Sequence, residues 1–231
     1  MRAGERPFDL VIFDCDGVLV DSEVLACRAV AAALVAIGHA ITPDEVGERF
    51  LGMSNRDMYA ALERERGTPL PAALAAELQR METLLFERDL RAMPGLEATL
   101  AALALPRCVA SSSTPSLLRR KLDWSRLARW FGEAVFSSAE VARGKPAPDL
   151  FLHAARRIGV APARALVVED SAPGILAAKS AGMTAFGFSG GSHCRPGHAE
   201  RLAAAGADLV FQEMSALPAL IAQRKATFTT S

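Results

Sequence analysis

The feature that most constrains the fold is a series of six short apolar segments that show no alternation of polar and apolar residues. Continuous apolar runs of this length are typical of parallel strands covered on both faces. Helical patterns lie between most of them, and strand alternating with helix predicts an α/β protein with a doubly wound, Rossmann-like, mainly parallel sheet. The segments are residues 9–13, 107–110, 134–136, 165–168, 183–188 and 208–211.

One interval is too long for a simple crossover between strands. More than ninety residues separate the first segment from the second, and most of them show helical patterns. Within it, Thr42 followed by Pro43 and two acidic residues predicts the start of a helix. We therefore predict a catalytic core formed by residues 1–22 and 93–231, with an inserted α-helical cap domain at 23–92. Such an insertion would lie over the carboxyl edge of the sheet, where ligands bind in open α/β folds.

Composition excludes several partner classes. The 26 basic and 26 acidic residues balance, so net charge supports neither a nucleic acid nor a membrane surface as partner. The apolar run at the N-terminus is too short for a signal peptide, and the longest apolar region contains Arg28 and His39. The four cysteines show no metal or disulfide spacing, which predicts free thiols in the cytoplasm. A monomer or a small homo-oligomer is expected.

Two aspartates, Asp14 and Asp16, follow the first apolar segment directly. Like charges placed this close are unfavourable unless a cation or a proton separates them. A hard divalent cation would do so, since Mg²⁺ takes one or two carboxylates together with phosphate and water. Gly17 lets the backbone turn sharply and approach a ligand. The alternative is a surface turn with two solvated aspartates.

Three further polar groups follow later apolar segments. A run of hydroxyl residues beginning with Ser111 and Ser112 precedes a predicted helix, where it could bind an anion or cap the helix. Lys145 lies between a glycine and a proline, and its ammonium group could neutralise a phosphate or remain solvated. Glu169 and Asp170 could complete a cation site or cap a helix. All four groups follow parallel strands, so we expect them in one crevice.

In this order the four groups resemble the motifs of the haloacid dehalogenase superfamily, in its phosphatase and phosphomutase branch with a helical cap. The matching sequences are DCDGVL at residues 14–19, the serine at 111, GKPAPD at 144–149 and EDS at 169–171. The resemblance extends from about residue 8 to residue 221. The combination is specific for the superfamily and much less so for the substrate.

The resemblance implies a Mg²⁺-dependent phosphohydrolase acting on a small phosphorylated metabolite. Asp14 would attack phosphorus and form an aspartyl-phosphate, which splits one difficult step into two. Asp16 would protonate the leaving oxygen and then deprotonate the attacking water. The backbone carbonyl of Asp16 would also bind the metal.

The other motif residues take supporting roles in the same resemblance. Ser111 and the N–H of Ser112 would hold the phosphoryl oxygens, and Lys145 would stabilise their charge. Asp170 would complete the magnesium site, with Glu169 beside it or behind it. Charge neutralisation and in-line positioning are what phosphoryl transfer mainly needs.

Three alternatives differ in their motif residues. A dehalogenase resembles Asp-x-Tyr at the first motif, so Asp16 argues against that activity. A β-phosphoglucomutase shares the four motifs but carries a cap histidine where this chain has Ala26. It also carries a cap arginine where this chain has Asn55, with Arg56 one place later. Both departures favour a phosphatase over a mutase. A non-catalytic phosphate-binding protein stays open because fold does not imply function, although the complete motif set argues against it.

Substrate choice is expected to lie in the cap, away from the reacting phosphate. The run at residues 13–24 resembles bacterial sugar-phosphate and 6-phosphogluconate phosphatases, and a phosphoglycolate phosphatase is also compatible. Candidate substrate residues are Gly52, Met53, Asn55 and Arg56. Arg56 could meet an anionic group of the substrate or remain solvated.

One further segment, residues 189–198, contains His193, Cys194 and His198. Two histidines and a cysteine are the ligand types of a soft metal site. Their spacing matches no standard metal motif, so the segment is interpreted as a flexible loop after the fifth strand.

Overall fold

The computed structural model describes residues 7–50, 53 and 55–224, and within them six parallel strands form one sheet. The order across the sheet is 3-2-1-4-5-6 in chain numbering, and every neighbouring pair is parallel. The predicted α/β architecture is confirmed, and each apolar segment forms a strand. The strands are β1 (Leu10–Phe13), β2 (Arg107–Ser111), β3 (Val135–Ser137), β4 (Ala165–Glu169), β5 (Thr184–Phe188) and β6 (Leu209–Phe211).

Helices connect the strands and fill the long interval after β1. No helix in the described part of the chain combines the length and the apolar character needed to cross a membrane. The helices are α1 (Glu23–Ala36), α2 (Pro43–Phe50), α3 (Asn55–Arg66), α4 (Leu74–Asp89), α5 (Leu96–Ala102), α6 (Pro115–Trp124), α7 (Ala128–Phe131), α8 (Asp149–Ile158), α9 (Ala172–Ser180), α10 (His198–Ala204) and α11 (Leu217–Gln223).

The centre of the sheet is covered on both faces, which explains why its strands lack alternation. All four residues of β1 and all five of β4 are buried. On one face Ile12 and Val167 join a core that includes Phe151 of α8 and Ile175 of α9. Burying a large apolar side chain of this kind contributes about 1.5–3 kcal/mol to folding. The apolar run is therefore the signature of a central strand in this fold.

The strand order reverses at β1, and this reversal positions the polar motifs. β1 pairs with β2 on one side and with β4 on the other, so Phe13 lies between Val109 and Val168. In open α/β sheets the crevice at such a switch point, outside the carboxyl ends of the strands, is where ligands bind. The predicted site residues Asp14, Ser111 and Asp170 lie at or directly after the ends of β1, β2 and β4.

The chain divides into two compact units, Met1–Asp21 with Arg91–Ser231, and Ser22–Leu90. The second unit contains α1 to α4. Thr42 begins α2 as the sequence predicts: its side chain accepts from the N–H of Glu45 (3.2 Å), and Glu45 accepts from the N–H of Thr42 (2.7 Å). This reciprocal arrangement satisfies two backbone donors at the helix start. Buried side chains of all four helices, including Leu34, Phe50 and Leu62, form a separate apolar core.

Candidate active site

Asp14 is the first residue after β1 and lies at the carboxyl edge of the sheet. Its N–H donates to the carbonyl of Val168 in β4 (3.0 Å), and the residue is only 7% exposed. The chain then turns at Gly17, whose φ is 75°. A Cβ at Gly17 would lie 1.8 Å from Oδ2 of Asp170. Glycine is therefore needed here both for the backbone conformation and for the close approach of the two loops.

Lys145 reaches the same point from the loop before α8. Its Nζ lies 2.6 Å from Oδ1 of Asp14 and 2.5 Å from Oε1 of Glu169, and it also donates to the carbonyl of Ala110 (3.1 Å). The side chain is 6% exposed. A buried ammonium shared by two carboxylates stabilises both of them, because its removal would leave two buried negative charges without a cation. The lysine is thus fixed within the crevice.

The buried charges at this edge shift one another's pKa values. Burial raises the pKa of Asp14 well above its ordinary value; Lys145 opposes this, and nearby Glu169, Asp170 and Asp16 add to it. Burial disfavours a charge on Lys145, yet the adjacent Asp14 and Glu169 outweigh burial and raise its pKa. Lys145 therefore remains a cation at neutral pH. The carboxylates would be stabilised by a further cation placed among them.

Glu169 ends β4 and is completely buried. Its Oε1 accepts from Lys145, and its Oε2 accepts from the N–H and the hydroxyl of Ser171 (3.0 and 2.8 Å). A Cβ at Gly174 would lie 1.9 Å from the carboxyl carbon of Glu169, so α9 leaves room for this group. Ser171 also caps α9 through the N–H of Gly174 (3.1 Å). Because both oxygens already accept hydrogen bonds, Glu169 is placed to orient its neighbours.

Asp14, Glu169 and Asp170 form an acidic cluster in which one carboxylate oxygen of each lies within 4.8 Å of the others. All three are buried, and burial raises the pKa of Asp170 to about 6 even though a hydrogen bond from His193 opposes this. Buried oxygen donors with excess negative charge fit a hard divalent cation. Asp170 and Asp14, as the less committed carboxylates, are the residues that could hold it.

Asp16 is bound by Lys121, which the sequence did not indicate, and by Ser113, which belongs to the predicted run of hydroxyl residues but had no role predicted for it. Nζ of Lys121 lies 2.6 Å from Oδ1 of Asp16, and the hydroxyl of Ser113 donates to Oδ2 (2.9 Å). Lys121 also donates to Ser113 (3.0 Å), and its side chain is only 6% exposed. One signal was available: Lys121 lies on the apolar face of α6, between Leu118 and Leu122, which are both buried.

Ser111 and Ser112 lie where β2 ends, as predicted. Ser111 is fully buried, and its hydroxyl accepts from the N–H of Ser113 (3.1 Å). Ser112 is exposed, and its carbonyl accepts from the hydroxyl of Ser138 (3.1 Å). Ser111 therefore lies on the side of the loop facing the protein interior, next to the Ala110 carbonyl that binds Lys145.

Residues 189–198 lie against this edge and contact Asp170. Nε2 of His193 is 3.0 Å from Oδ2 of Asp170, and Nε2 of His198 is 2.8 Å from its backbone carbonyl. Burial disfavours a charge on His193, but its hydrogen bonds to Asp170 and Cys194 outweigh burial and raise its pKa to about 10. His193, Cys194 and His198 also place one potential ligand atom each within 4.8 Å of the others.

The candidate substrate residues belong to the second unit. Gly52 lies outside the described residues. Met53, Asn55 and Arg56 are exposed, and Asn55 begins α3. Exposure leaves them available to a ligand without assigning them one.

The core unit thus brings together three aspartates. Asp14 is buried beside Lys145, and Asp16 is held by hydrogen bonds from Lys121 and Ser113. Asp170 belongs to the acidic cluster and could hold a cation. A carboxylate beside a lysine is suited to attack an electron-poor centre, and a second carboxylate can carry a proton. Fixed positive charge around both is suited to an anionic substrate.

Comparison with known proteins gives one family and several relatives. Residues 8–182 match the family described as haloacid dehalogenase-like hydrolase. The chain is 33% identical to a 6-phosphogluconate phosphatase of Escherichia coli, over 81% of this chain and 86% of that protein. A haloacid dehalogenase-like protein of unknown function from Agrobacterium tumefaciens superposes with a TM-score of 0.84 at 42% identity, covering 93% of this chain and 98% of the other. A family hydrolase from Deinococcus radiodurans, solved with phosphate and sodium bound, gives 0.81 at 31% identity, covering 95% and 97%.

Proposed function

Because the chain belongs to the haloacid dehalogenase-like hydrolases, we propose that it is a Mg²⁺-dependent phosphatase of a small phosphorylated metabolite. The family predicted from the motifs is confirmed, and so is the prediction that the chain is an enzyme of the phosphatase branch of that family. The observation that carries the proposed mechanism is the buried Asp14 beside Lys145 (2.6 Å), within the acidic cluster. The relative named 6-phosphogluconate phosphatase supports a sugar phosphate or a phosphorylated sugar acid as substrate.

In the first step, a carboxylate oxygen of Asp14 attacks phosphorus. The bond between phosphorus and the leaving oxygen breaks with its electron pair on that oxygen, and Asp16 donates a proton to it. Lys145 and Ser111 stabilise the phosphoryl oxygens, with the N–H of Ser112 as a further donor. The product alcohol leaves, and the phosphoryl group remains on Asp14.

In the second step, water attacks the phosphorus of the aspartyl-phosphate. Asp16, now a carboxylate, takes the proton, and the bond to Asp14 breaks to give orthophosphate and the original carboxylate. Mg²⁺, held by Asp14, Asp170 and the Asp16 carbonyl, would neutralise charge on the phosphoryl oxygens. Glu169 accepts a hydrogen bond from Nζ of Lys145 and so keeps the ammonium group beside Asp14.

A substrate panel with and without metal tests this proposal. We expect orthophosphate release from sugar phosphates or 6-phosphogluconate with Mg²⁺, a loss of about 100-fold or more with EDTA, and recovery when Mg²⁺ is restored. Phosphoglycolate belongs in the same panel. Turnover that persists without metal would exclude the mechanism. With β-glucose 1-phosphate and a bisphosphate primer, orthophosphate should dominate; dominant glucose 6-phosphate would establish the mutase instead.

Lys121→Met tests whether Lys121 supports the protonation of the leaving group by Asp16. Lys121 fixes Asp16, so its loss is expected to lower kcat/KM for a sugar phosphate by about tenfold, as part of the 10²–10⁴ that general acid catalysis contributes. The kcat/KM for p-nitrophenyl phosphate should fall much less, because its leaving group needs no proton. Lys179→Met is the matched control, since Lys179 pairs with Asp208 on the surface. Equal losses with both substrates would argue against a role through Asp16.

A further inference from the structure

The loop at residues 189–198 has no role in the two steps above, yet it contacts Asp170 twice. Nε2 of His193 is 3.0 Å from the carboxylate, and Nε2 of His198 is 2.8 Å from the backbone carbonyl of the same residue. The side chains of His193 and Asp170 are 6% and 8% exposed. One loop therefore fixes both the side chain and the backbone of a candidate metal ligand.

Both histidines donate these hydrogen bonds to Asp170. Nδ1 of His198 lies 3.1 Å from a guanidinium nitrogen of Arg201, which can only donate. Nδ1 therefore accepts, and Nε2 carries the proton that it donates to the Asp170 carbonyl. An ionised carboxylate only accepts, so Nε2 of His193 also donates. Nδ1 of His193 is buried and has no hydrogen-bond partner in the described residues, which leaves Nε2 as the polar contact of this ring.

The backbone around the pair is shaped to the histidine ring. A Cβ at Gly191 would lie 2.7 Å from both Nδ1 and Cε1 of His193, and a Cβ at Gly17 would lie 2.9 Å from Cε1. Such distances are too short for any side chain. The loop is also fixed on its other side, where the N–H and hydroxyl of Ser192 donate to Asp21 (3.2 and 2.8 Å). His193 is thus held against Asp170 from several directions.

We propose that His193 is a positioning residue for Asp170, which holds Oδ2 by a hydrogen bond so that the carboxylate presents its other oxygen to the cation. Partners of this kind orient metal-binding carboxylates, and their loss typically costs about 10–100-fold in metal affinity. The inference rests on the proposed function, because it assigns Asp170 to a metal. It extends that function to a residue outside the four motifs.

A soft metal ion on His193, Cys194 and His198 is the competing interpretation of this loop. Such an ion would have to bind Nδ1 of the histidines, because Nε2 of each carries a proton donated to Asp170, and Nδ1 of His198 already accepts from Arg201. Sγ of Cys194 lies 3.6 Å from Nε2 of His193, the nitrogen that also contacts Asp170, so the thiol is a weak second partner of that N–H. The contacts therefore favour positioning of Asp170.

Calorimetric titration of the whole protein with Mg²⁺ alone tests the proposal without an activity assay. His193→Phe should weaken Mg²⁺ binding by about 10–100-fold, whereas His193→Gln, whose amide nitrogen can donate from a similar position, should bind within about threefold of wild type. Gly191→Ala should reproduce part of the loss, because it displaces the ring while keeping the histidine. Thermal melts of the metal-free variants check that each is folded.

The outcomes separate this inference from the proposed function. If wild type binds no Mg²⁺, the metal of the proposed function fails. If wild type binds and folded His193→Phe binds equally or more tightly, positioning by His193 is wrong while the function stands. Cys194→Ser should leave Mg²⁺ affinity unchanged. Stoichiometric zinc in the purified protein that is lost in Cys194→Ser would overturn the proposal in favour of a metal on the loop.

Discussion

Asp14→Asn is expected to lower phosphate release from the best substrate of the panel by at least about 1,000-fold, because an amide cannot attack phosphorus to form the covalent intermediate. The measurement is orthophosphate release under saturating Mg²⁺. Asp123→Asn makes the same chemical change at an exposed position of α6 and should leave turnover unchanged. Retained turnover in Asp14→Asn would place the nucleophile elsewhere.

The same variant should keep its fold without metal. Burial and the neighbouring acids raise the pKa of Asp14, so its ionised form is disfavoured in the folded state. Because the pKa of Asp14 is higher in the folded than in the unfolded state, ionisation of Asp14 destabilises the folded protein as pH rises above the unfolded-state pKa of about 4. Asparagine removes this unfavourable charge at the same volume. The melting temperature of the metal-free variant should therefore equal or exceed that of wild type, and a large fall would show that the contact with Lys145 dominates.

The strands and the positions of the four motifs were predictable because both are encoded locally. β1 and β4 are continuous apolar runs, and an acidic residue follows each run directly. The parallel pairing of adjacent strands then brings Asp14 and Asp170 together without any further information. Lys145 follows the same logic, since its loop precedes α8, which packs against the central strands.

The contacts made by Lys121 and His193 escaped prediction because no local sequence pattern encodes them. Lys121 reaches Asp16 across 105 positions of sequence, and its helix alone shows only a lysine among buried leucines. His193 lies on a loop rich in glycine and serine, a composition typical of flexible connections. Its contact with Asp170 depends on the space left by Gly17 and Gly191, which becomes visible only when the two loops are folded together.

Lys145→Met is expected to be the most destabilising of the substitutions considered, in addition to removing activity. Nζ of Lys145 contacts Asp14, Glu169 and the Ala110 carbonyl, and it lies 5.0 Å from the ring centre of Phe151. Methionine can keep the apolar packing against that ring but leaves two buried carboxylates without their shared cation. Breaking a buried pair in this way costs about 3–5 kcal/mol. Urea unfolding of the metal-free protein near neutral pH measures this cost.

The pH dependence of that cost distinguishes lost charge from lost packing. The pKa of Lys145 is raised in the folded state, so the stability gained by its protonation is fully present below its unfolded pKa of about 10.4. Titration of Lys145 itself therefore does not change the stability of wild type between about pH 5 and pH 8. Without Lys145 the pKa of Asp14 rises further, so the folded variant binds protons more readily than the unfolded chain. Its stability should therefore recover as pH falls from about 8 to about 5. A penalty independent of pH would assign the effect to packing.

Lys179→Met provides the control for a lysine–carboxylate pair outside the crevice. Lys179 lies 2.7 Å from Asp208, with side chains 38% and 27% exposed, so its removal should cost no more than about 1 kcal/mol. Added Mg²⁺ should stabilise Lys145→Met more than wild type, since the acidic cluster then has less compensating charge. If Mg²⁺ stabilises neither protein, the cluster does not bind that cation, and Lys145 is needed only to neutralise its buried neighbours.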